Sequence, residues 1–339
     1  MRGAGSASRE TLLGIVRRLR GRRILVLADL VADEFVYGRV ERVSREAPVL
    51  ILRHDASDVR LGGGANAVHN IRTLGGRPLP LGVLGRDAHG ARLRALLREK
   101  GVSTSRIFAE ASYATPVKTR ILAGGLHSTK QQIVRIDKLA PLREGSALRR
   151  KLLLALRAAP RVDAVLVSDY GMGLLTRDVV EAAVSLARRR GIPVTVDSRH
   201  GLLAFRGMTA VTPNEPEVEA ALGITIGHDR GKLESAGRRV LRRLGAEAVL
   251  VTRGSDGMAL FEPGRKTVHI PIYGSDEVAD VTGAGDTVIA AFTLALAAGA
   301  TPADAGRLAN YAGGIVVMKR GTATVSAAEL AEAVGGDRS

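Results

Sequence analysis

The chain has 339 residues, 45% hydrophobic and 25% charged, enough for one large α/β domain or two modest ones. It has no cysteine, which excludes disulfides, thiolate metal sites and thiol nucleophiles and fits a cytoplasmic location. Lys plus Arg number 50 against 34 for Asp plus Glu, a net charge of +16 that favours an anionic partner, and no apolar stretch reaches the ~18 residues of a membrane span.

The first ten residues, "MRGAGSASRE", are small and polar with no apolar core behind them, so they read as a loose tail and not a signal peptide. Residues 11–339 read as one domain. "RRILVLADL" (22–30) predicts a strand after a basic helix. Residues 34–61 then alternate apolar and polar side chains around turn signals, and so do residues 113–137, which read as a hairpin. Four amphipathic strands set into an α/β chain predict a small projecting sheet, acting as a lid, a dimer contact, or both.

Between and after these segments the pattern is regular. "ANAVHNIRTLG" predicts a helix, "RPLPLGVLG" a strand and "ARLRALLREKG" a helix stopped by glycine. "VDAVLVSDYG", "IPVTVDS", "GMTAVTPN" and "AEAVLVTRG" predict buried strands, each followed by a helix. Repeated strand–helix order implies a mostly parallel sheet with helices on both faces. Ligands on such sheets sit beyond the carboxyl ends of the strands. The polar ends "SDYG", "VDSRH", "TPNEPE" and "TRGSDG" are therefore expected to line one crevice, with Asp169 at the substrate. Most arginines lie on helical segments such as "GRRVLRRLG", without interleaved aromatics. They read as solvated helix faces, and no nucleic acid is expected.

Near the carboxyl terminus stands "ADVTGAGDTVIAAF" (279–292), a bare turn before an apolar helix. Such a turn leaves backbone N–H groups unpaired at the positive end of the helix dipole, where an anion can approach. In phosphoryl transfer such donors would receive the charge on the moving oxygens, and Asp286 would take the proton of an attacking hydroxyl. Taken alone, the string fits a capped helix equally well. It has neither the strand-bound G-x-G-x-x-G of a dinucleotide fold nor the Gly-Lys-Ser/Thr of a P-loop.

"DVTGAGDTVIAAF" resembles the carboxyl-terminal signature of the PfkB, or ribokinase-like, sugar kinases. "GGGANAVHNIRTLGGRPLPLGVLG" resembles their amino-terminal signature, with Gly63, Gly64, Asn66, Gly75 and Gly85 at family spacing and Val68 where a small residue is usual. The likeness covers residues ~22 to ~330. Within the family, "ADLVADEFVYGRVERVSREAPVLIL", "KQQIVRID", "SDYGMGLLT" and "TPNEPEVEAALG" are similar to the D-glycero-β-D-manno-heptose-7-phosphate kinases. Many of those carry a fused nucleotidyltransferase domain; the chain's length makes it similar to the stand-alone kinase.

The resemblance implies a ribokinase-like three-layer α/β/α sandwich with a β lid, using ATP, Mg²⁺ and in some relatives K⁺. It implies phosphorylation of O1 of heptose 7-phosphate to the 1,7-bisphosphate, a step toward ADP-heptose and lipopolysaccharide; the projecting strands themselves suggest a homodimer through the lid. Asp286 becomes the base, with Gly283, Ala284 and Gly285 as the anion hole. Asp33 grips sugar hydroxyls, and Gly63, Gly64 and Asn66 bring backbone and an amide against the sugar. Arg42, Lys118, Arg120 and Arg135, on the expected lid strands, are candidates for the substrate's phosphate. Asn214 and Glu217 match the family's N-x-x-E motif for Mg²⁺ and phosphate, but also fit a helix cap with an acid at its third position. Thr252, Gly254 and Gly257 resemble the nucleotide turn, Asn310 and Gly313 flank the adenine, and Asp280 and Thr282 match positions that hold a monovalent cation.

Two positions depart from the heptose-kinase pattern. Met172 stands where a lysine is expected, and Ser198-Arg199 where Pro-Lys is expected. The alternatives are a kinase of another sugar, sugar phosphate or nucleoside, and, more distantly, a nucleic-acid-binding protein on a kinase fold.

Overall fold

The computed structural model describes residues 8–124, 130–139, 141–142, 147–274, 280–319 and 321–337. Most of the expected tail, residues 1–7, and the tip of the second lid hairpin, 125–129, lie outside the described residues. Helix α1 (Arg9–Leu19) begins inside the stretch read as tail. The Thr11 N–H donates to Ser8 Oγ at its start, a cap that fixes where the helix begins.

The chain continues with β1 (Arg23–Ala28), β2 (Leu30–Val43), β3 (Leu50–Gly63), α2 (Gly64–Thr73), β4 (Arg77–Gly85), α3 (Ala88–Glu99) and β5 (Ile107–Glu110). Strands β6 (Val117–Gly124) and β7 (Gln131–Lys138) precede α4 (Ala147–Arg157). Then come β8 (Ala164–Asp169), α5 (Arg177–Arg190), β9 (Val194–Ser198), β10 (Ala210–Val211), α6 (Glu215–Leu222), α7 (Arg230–Leu244) and β11 (Ala248–Thr252). The last elements are β12 (Met258–Phe261), β13 (Val268–Ile270), α8 (Ala284–Ala297), α9 (Pro302–Val317) and α10 (Ala327–Gly336).

Among the described residues nine strands form the main sheet in the order β13-β12-β11-β10-β9-β8-β1-β4-β5, all running the same way except β12, which pairs antiparallel with both its neighbours. Its central strands are apolar runs without alternation because both faces are covered. On β1, Ile24, Val26 and Ala28 enter the core under α1, α2, α8, α9 and α10. Leu25 and Leu27 enter the core under α4, α5, α6 and α7. Each such leucine contributes about 2 kcal/mol by burial. The strand order reverses at β1, between β4 and β8, and the crevice opens beyond the carboxyl ends of β1 and β8. Among the described residues no helix is long and apolar enough to cross a membrane.

The second sheet has the order β3-β2-β6-β7. Two antiparallel hairpins meet through one parallel pair, β2 with β6. Strand β2 starts at Leu30, one residue past β1, so the lid springs from the crevice floor and not from residue 34. Register places Asp33 and Phe35 beside Lys118 and Arg120, and the pleat puts this row on one face. Lys118 lies 4.8 Å over the ring of Tyr170, just past β8, so that face looks into the crevice. The opposite face carries Val36, Ile121 and Val134 in one cross-strand row.

Candidate active site

The turn before α8 is built from what glycine permits. Gly283 sits in the left-handed region at φ 81°, and a Cβ there would lie 2.5 Å from the Asn66 amide. No side chain caps this helix end. The Ala284 N–H is spent on Val281 O at 3.2 Å, which leaves Gly285 and Asp286 as the first-turn donors with no backbone acceptor among the described residues. A Cβ on Gly285 would meet nothing within 4 Å, so the space before those donors is open. The capped-helix alternative therefore lacks its side-chain cap, while the helix end keeps two free donors facing open space, as anion binding needs.

Helix α8 is buried continuously from Asp286 to Ala295, which pins Asp286 at the cleft floor with 4% of its surface exposed. The Tyr170 hydroxyl donates to its Oδ1 at 2.6 Å and Asn66 Nδ2 to its Oδ2 at 3.1 Å. Asn66 is buried on α2 and is itself held by Asn70, whose Nδ2 donates to Asn66 Oδ1 at 3.3 Å. Helix α2 reaches this depth because Gly64 has no side chain: a Cβ would lie 2.4 Å from that of Ala28. Burial pushes the Asp286 carboxyl up to about 6, against the pull of the Tyr170 and Asn66 hydrogen bonds and the Arg199 charge. At neutral pH it is ionised yet basic enough to take a proton, the balance general-base catalysis needs.

On the lid side, Arg120 Nη1 donates to Asp33 Oδ1 at 2.6 Å in a nearly buried pair. Arg60 and Arg120 lie 4.7 and 5.4 Å over the Phe35 ring, and Lys130 lies 5.6 Å over that of Tyr37. These cations line a cavity of about 590 Å³ whose far wall is Asp280, Thr282 and Gly321. Lys118 faces the crevice over Tyr170 instead. Arg42 lies apart from the other candidates. It lies nine residues beyond Asp33 on one strand, roughly 30 Å away and exposed, further than a sugar phosphate extends. Arg135 is cross-strand from Arg120 but turns to Asp137 at 2.8 Å and stays half exposed. Asp169 is also placed differently from the expectation: Oδ1 accepts from Gly171 N and Oδ2 from Ser198 Oγ, so it fastens the turn that carries Tyr170.

On the other side of Asp286 a cleft of about 340 Å³ runs from Gly283, Ala284 and Gly285 to Thr252, Gly254, Gly257, Asn310 and Gly313. Asn214 and Glu217 line it and also form a reciprocal cap at 2.8 and 2.9 Å, so the cap does not remove them from the cleft. The Asn310 amide is fixed by Pro271 O at 2.8 Å. Asp197 is held well above the carboxylate range by burial and by the charges of Glu217 and Asp286. Thr212 Oγ1 is buried in the same wall without a partner among the described residues. Asp280 accepts from Thr282 N and Gly321 N, both at 2.9 Å, which ties the turn before α8 to the chain before α10.

A base on a bare helix start, with a cleft on one side and a cationic cavity under a lid on the other, is the layout of a group-transfer site. The family model for the pfkB carbohydrate kinases matches residues 29–329. The chain belongs to that family. It is 41% identical over 329 residues to the bifunctional protein HldE of Geobacter metallireducens, and 42% over 313 residues to that of Geobacter sulfurreducens. These cover 96% and 92% of the chain but 66% and 62% of the relatives, so the chain spans somewhat less than two thirds of their length. Arabidopsis thaliana ribokinase, solved with ribose and ATP, superposes with a TM-score of 0.72 at 21% identity, covering 94% of this chain and all of that one. Escherichia coli phosphofructokinase-2, solved with potassium, gives 0.74 at 21% identity, covering 93% and 98%. The two structures establish the ribokinase-like fold.

In this pfkB kinase several site residues escaped the sequence reading. Tyr170, Asp197 and Arg199 follow the carboxyl ends of β8 and β9, where a crevice was expected but no role was assigned. Arg60 and Lys130 were passed over because charge on a lid strand does not tell which face it occupies. The two departures are accommodated locally. Met172 is buried against Val31 and Tyr170, and its N–H donates to Asp29 Oδ2 at 3.1 Å. Ser198 Oγ donates to Asp169 at 2.6 Å and accepts from Gly201 N at 3.0 Å, closing the turn a proline would have stiffened.

Proposed function

We propose that this kinase transfers the γ-phosphoryl group of ATP to O1 of D-glycero-β-D-manno-heptose 7-phosphate in the cytoplasm. The observation that carries the substrate reading is the cavity of Arg60, Arg120 and Lys130 adjoining Asp33. It offers a cationic end for a phosphate already on the sugar, while Asp33 accepts hydroxyls nearer Asp286. The identity to HldE proteins supports the same substrate class. Arg120 remains in this reading as a phosphate ligand, while Lys118 faces the crevice outside that cavity.

In the reaction the acceptor hydroxyl gives its proton to Asp286 and bonds to the γ-phosphorus, the bridging bond breaks, and ADP leaves. The free N–H groups of Gly285 and Asp286 meet the charge on the transferred oxygens, with Gly283, Ala284, Gly63 and Gly64 giving the close approach. Thr252, Gly254, Gly257, Asn310 and Gly313 hold the nucleotide.

The donor set also fits Mg²⁺. Asp197 and Glu217 crowd negative charge on one wall, beside the unpartnered Thr212 hydroxyl, which a hard cation relieves. Among the described residues no three His, Cys, Asp or Glu side chains converge to chelate an ion alone, so the nucleotide phosphates and water supply the rest. Mg²⁺ would neutralise phosphate charge there. Asp280 and Thr282 are assigned to K⁺. The exposed apolar row on the outer lid supports a homodimer through the lid.

A panel of free and phosphorylated sugars assayed for ATP consumption tests the reading. Heptose 7-phosphate should give the highest kcat/KM. Higher turnover of ribose, fructose or a nucleoside would replace it with the other-sugar reading, and salt-sensitive DNA binding without turnover would replace both.

A further inference from the structure

Arg199 is a cleft residue that the reaction above leaves without a task. It follows β9 at the carboxyl edge of the sheet, and its backbone is held tightly. Its N–H donates to Asp169 O at 3.1 Å, and the preceding Ser198 is bonded to both Asp169 and Gly201. From that anchor the guanidinium reaches 4.5 Å from the centre of the Tyr170 ring, the same tyrosine whose hydroxyl holds Asp286. It lines the cleft that also contains Gly283, Gly285, Asp286 and Glu217.

The arginines around it each have a carboxylate partner before any ligand arrives. Arg120 pairs with Asp33, Arg60 with Asp58, and Arg253 with Glu215. Arg199 forms no ion pair within 4.0 Å among the described residues. It is instead close to a second cation, since Lys118 lies 4.8 Å over the same Tyr170 ring. Burial and the Arg199 charge together hold the Lys118 ammonium below its usual range. Two cations at one ring, neither in an ion pair within 4.0 Å among the described residues, repel each other until an anion arrives between them and the helix end. Planar guanidinium geometry, with two N–H groups in a fixed fork, suits two oxygens of one phosphoryl group in a way an ammonium does not.

We propose that Arg199 is a catalytic residue that binds the phosphoryl group in transit, and that Tyr170 is the residue positioning it. As the acceptor oxygen bonds to the γ-phosphorus, the bond to the β-phosphate oxygen breaks and its electron pair leaves with ADP. The acceptor's proton passes to Asp286. The guanidinium then meets negative charge on the three transferred oxygens together with the α8 donors. The inference rests on the kinase chemistry of the site and not on which sugar is used.

The test compares the wild-type chain with Arg199→Ala and Arg199→Lys in three assays: turnover of ATP with heptose 7-phosphate, slow hydrolysis of ATP with water as acceptor, and binding of ADP with and without aluminium fluoride. Arg199→Ala should lose roughly 10²–10³-fold in kcat with KM values nearly unchanged. It should bind ADP as the wild type does but lose the tightening that fluoroaluminate, a mimic of the planar phosphoryl group, gives. Guanidinium ion added to Arg199→Ala should restore part of the rate, which a folding defect would not allow, and Arg199→Lys should fall between the two. A kcat within threefold of wild type, or equal losses of ADP and ADP–fluoroaluminate affinity, overturns the proposal. If the wild type leaves heptose 7-phosphate untouched, the substrate reading falls, and Arg199 is judged on water hydrolysis and fluoroaluminate binding, which need no sugar.

Discussion

The Asn66 amide donates to Asp286 at 3.1 Å across 220 residues of sequence, joining the amino-terminal and carboxyl-terminal family signatures in one hydrogen bond. With Tyr170 on the other oxygen, the carboxylate has one orientation and keeps its remaining lone pairs for the acceptor hydroxyl. Asp286→Asn retains the shape and removes the base. Turnover should fall by ~10³-fold or more while ATP binding, measured by titration calorimetry, stays within a few-fold of wild type. Turnover within tenfold of wild type would remove Asp286 from the mechanism.

The same two donors set the pH dependence. The free enzyme needs Asp286 ionised, and its carboxyl is held at about 6. The acidic limb of kcat/KM should therefore rise through about pH 6 and not near 4. Tyr170→Phe deletes a donor to the charged form, so protonation becomes easier and the limb should move to higher pH by roughly one unit. A limb that stays in place would show that the tyrosine does not tune the base.

Asp29 makes an opposite kind of prediction, about stability. It is 1% exposed beside Asp169, and burial followed by that charge raises its carboxyl to about 7, against 3.8 when unfolded. The folded state thus binds the proton more tightly than the unfolded state. Its stabilising contribution is complete below about pH 4 and is lost as pH rises through about 7, on the order of 4 kcal/mol at most. Asp286 shifts in the same direction over about pH 4 to 6. Urea unfolding of Asp29→Asn across pH 4 to 8 should show a flatter profile than wild type, and an unchanged slope would remove the assignment.

How much of this was legible in the sequence follows from which physics writes itself locally. The strands around Val26, Leu166 and Leu250 read correctly because burial on both faces demands unbroken apolar runs. The glycines at 63, 64 and 283 stood out because a bare backbone has few substitutes where a helix start meets a close neighbour. Asn214 and Glu217 gave two readings: the structure realises the cap and places both side chains on the cleft, where the second reading needs them. What the sequence could not show was partnership. Whether Arg42, Arg60, Arg120 or Arg135 meets a substrate depends on strand face and distance from the crevice, and lid strands of 14 residues carry part of that charge far from it. Tyr170 was unreadable for a related reason: a tyrosine after a strand is ordinary until Asp286 arrives from 116 residues away.

The lid cavity gives a prediction that separates substrate recognition from chemistry. Arg60→Gln and Lys130→Gln should each raise KM for heptose 7-phosphate about tenfold or more, with KM for ATP unchanged. Arg42→Gln should leave both constants where they are. Steady-state kinetics on the three variants checks it, and a rise confined to Arg42→Gln would move the phosphate to the lid's far end.

The outer lid face fixes the last expectation. Val134 and Ile136 on β7 are 44% and 55% exposed, and Val40 and Leu50 add 40% and 44% on the adjoining hairpin. Exposed apolar side chains gathered on one face of a sheet whose other face is charged favour cover by a partner. A second copy of the lid presents the same row, and a two-fold axis lets each row meet itself. Burying one carboxylate there without a partner costs several kcal/mol, so Ile136→Asp should weaken dimerisation by a hundredfold or more. Sedimentation velocity across a dilution series reads this directly: the wild type should run as a dimer at micromolar concentration and Ile136→Asp as a monomer. Because the same strands carry Arg120 and Lys118 on their inner face, the monomeric variant should also show a raised KM for the sugar phosphate with ATP affinity intact. A wild-type chain that is monomeric at every concentration would remove the lid-to-lid arrangement.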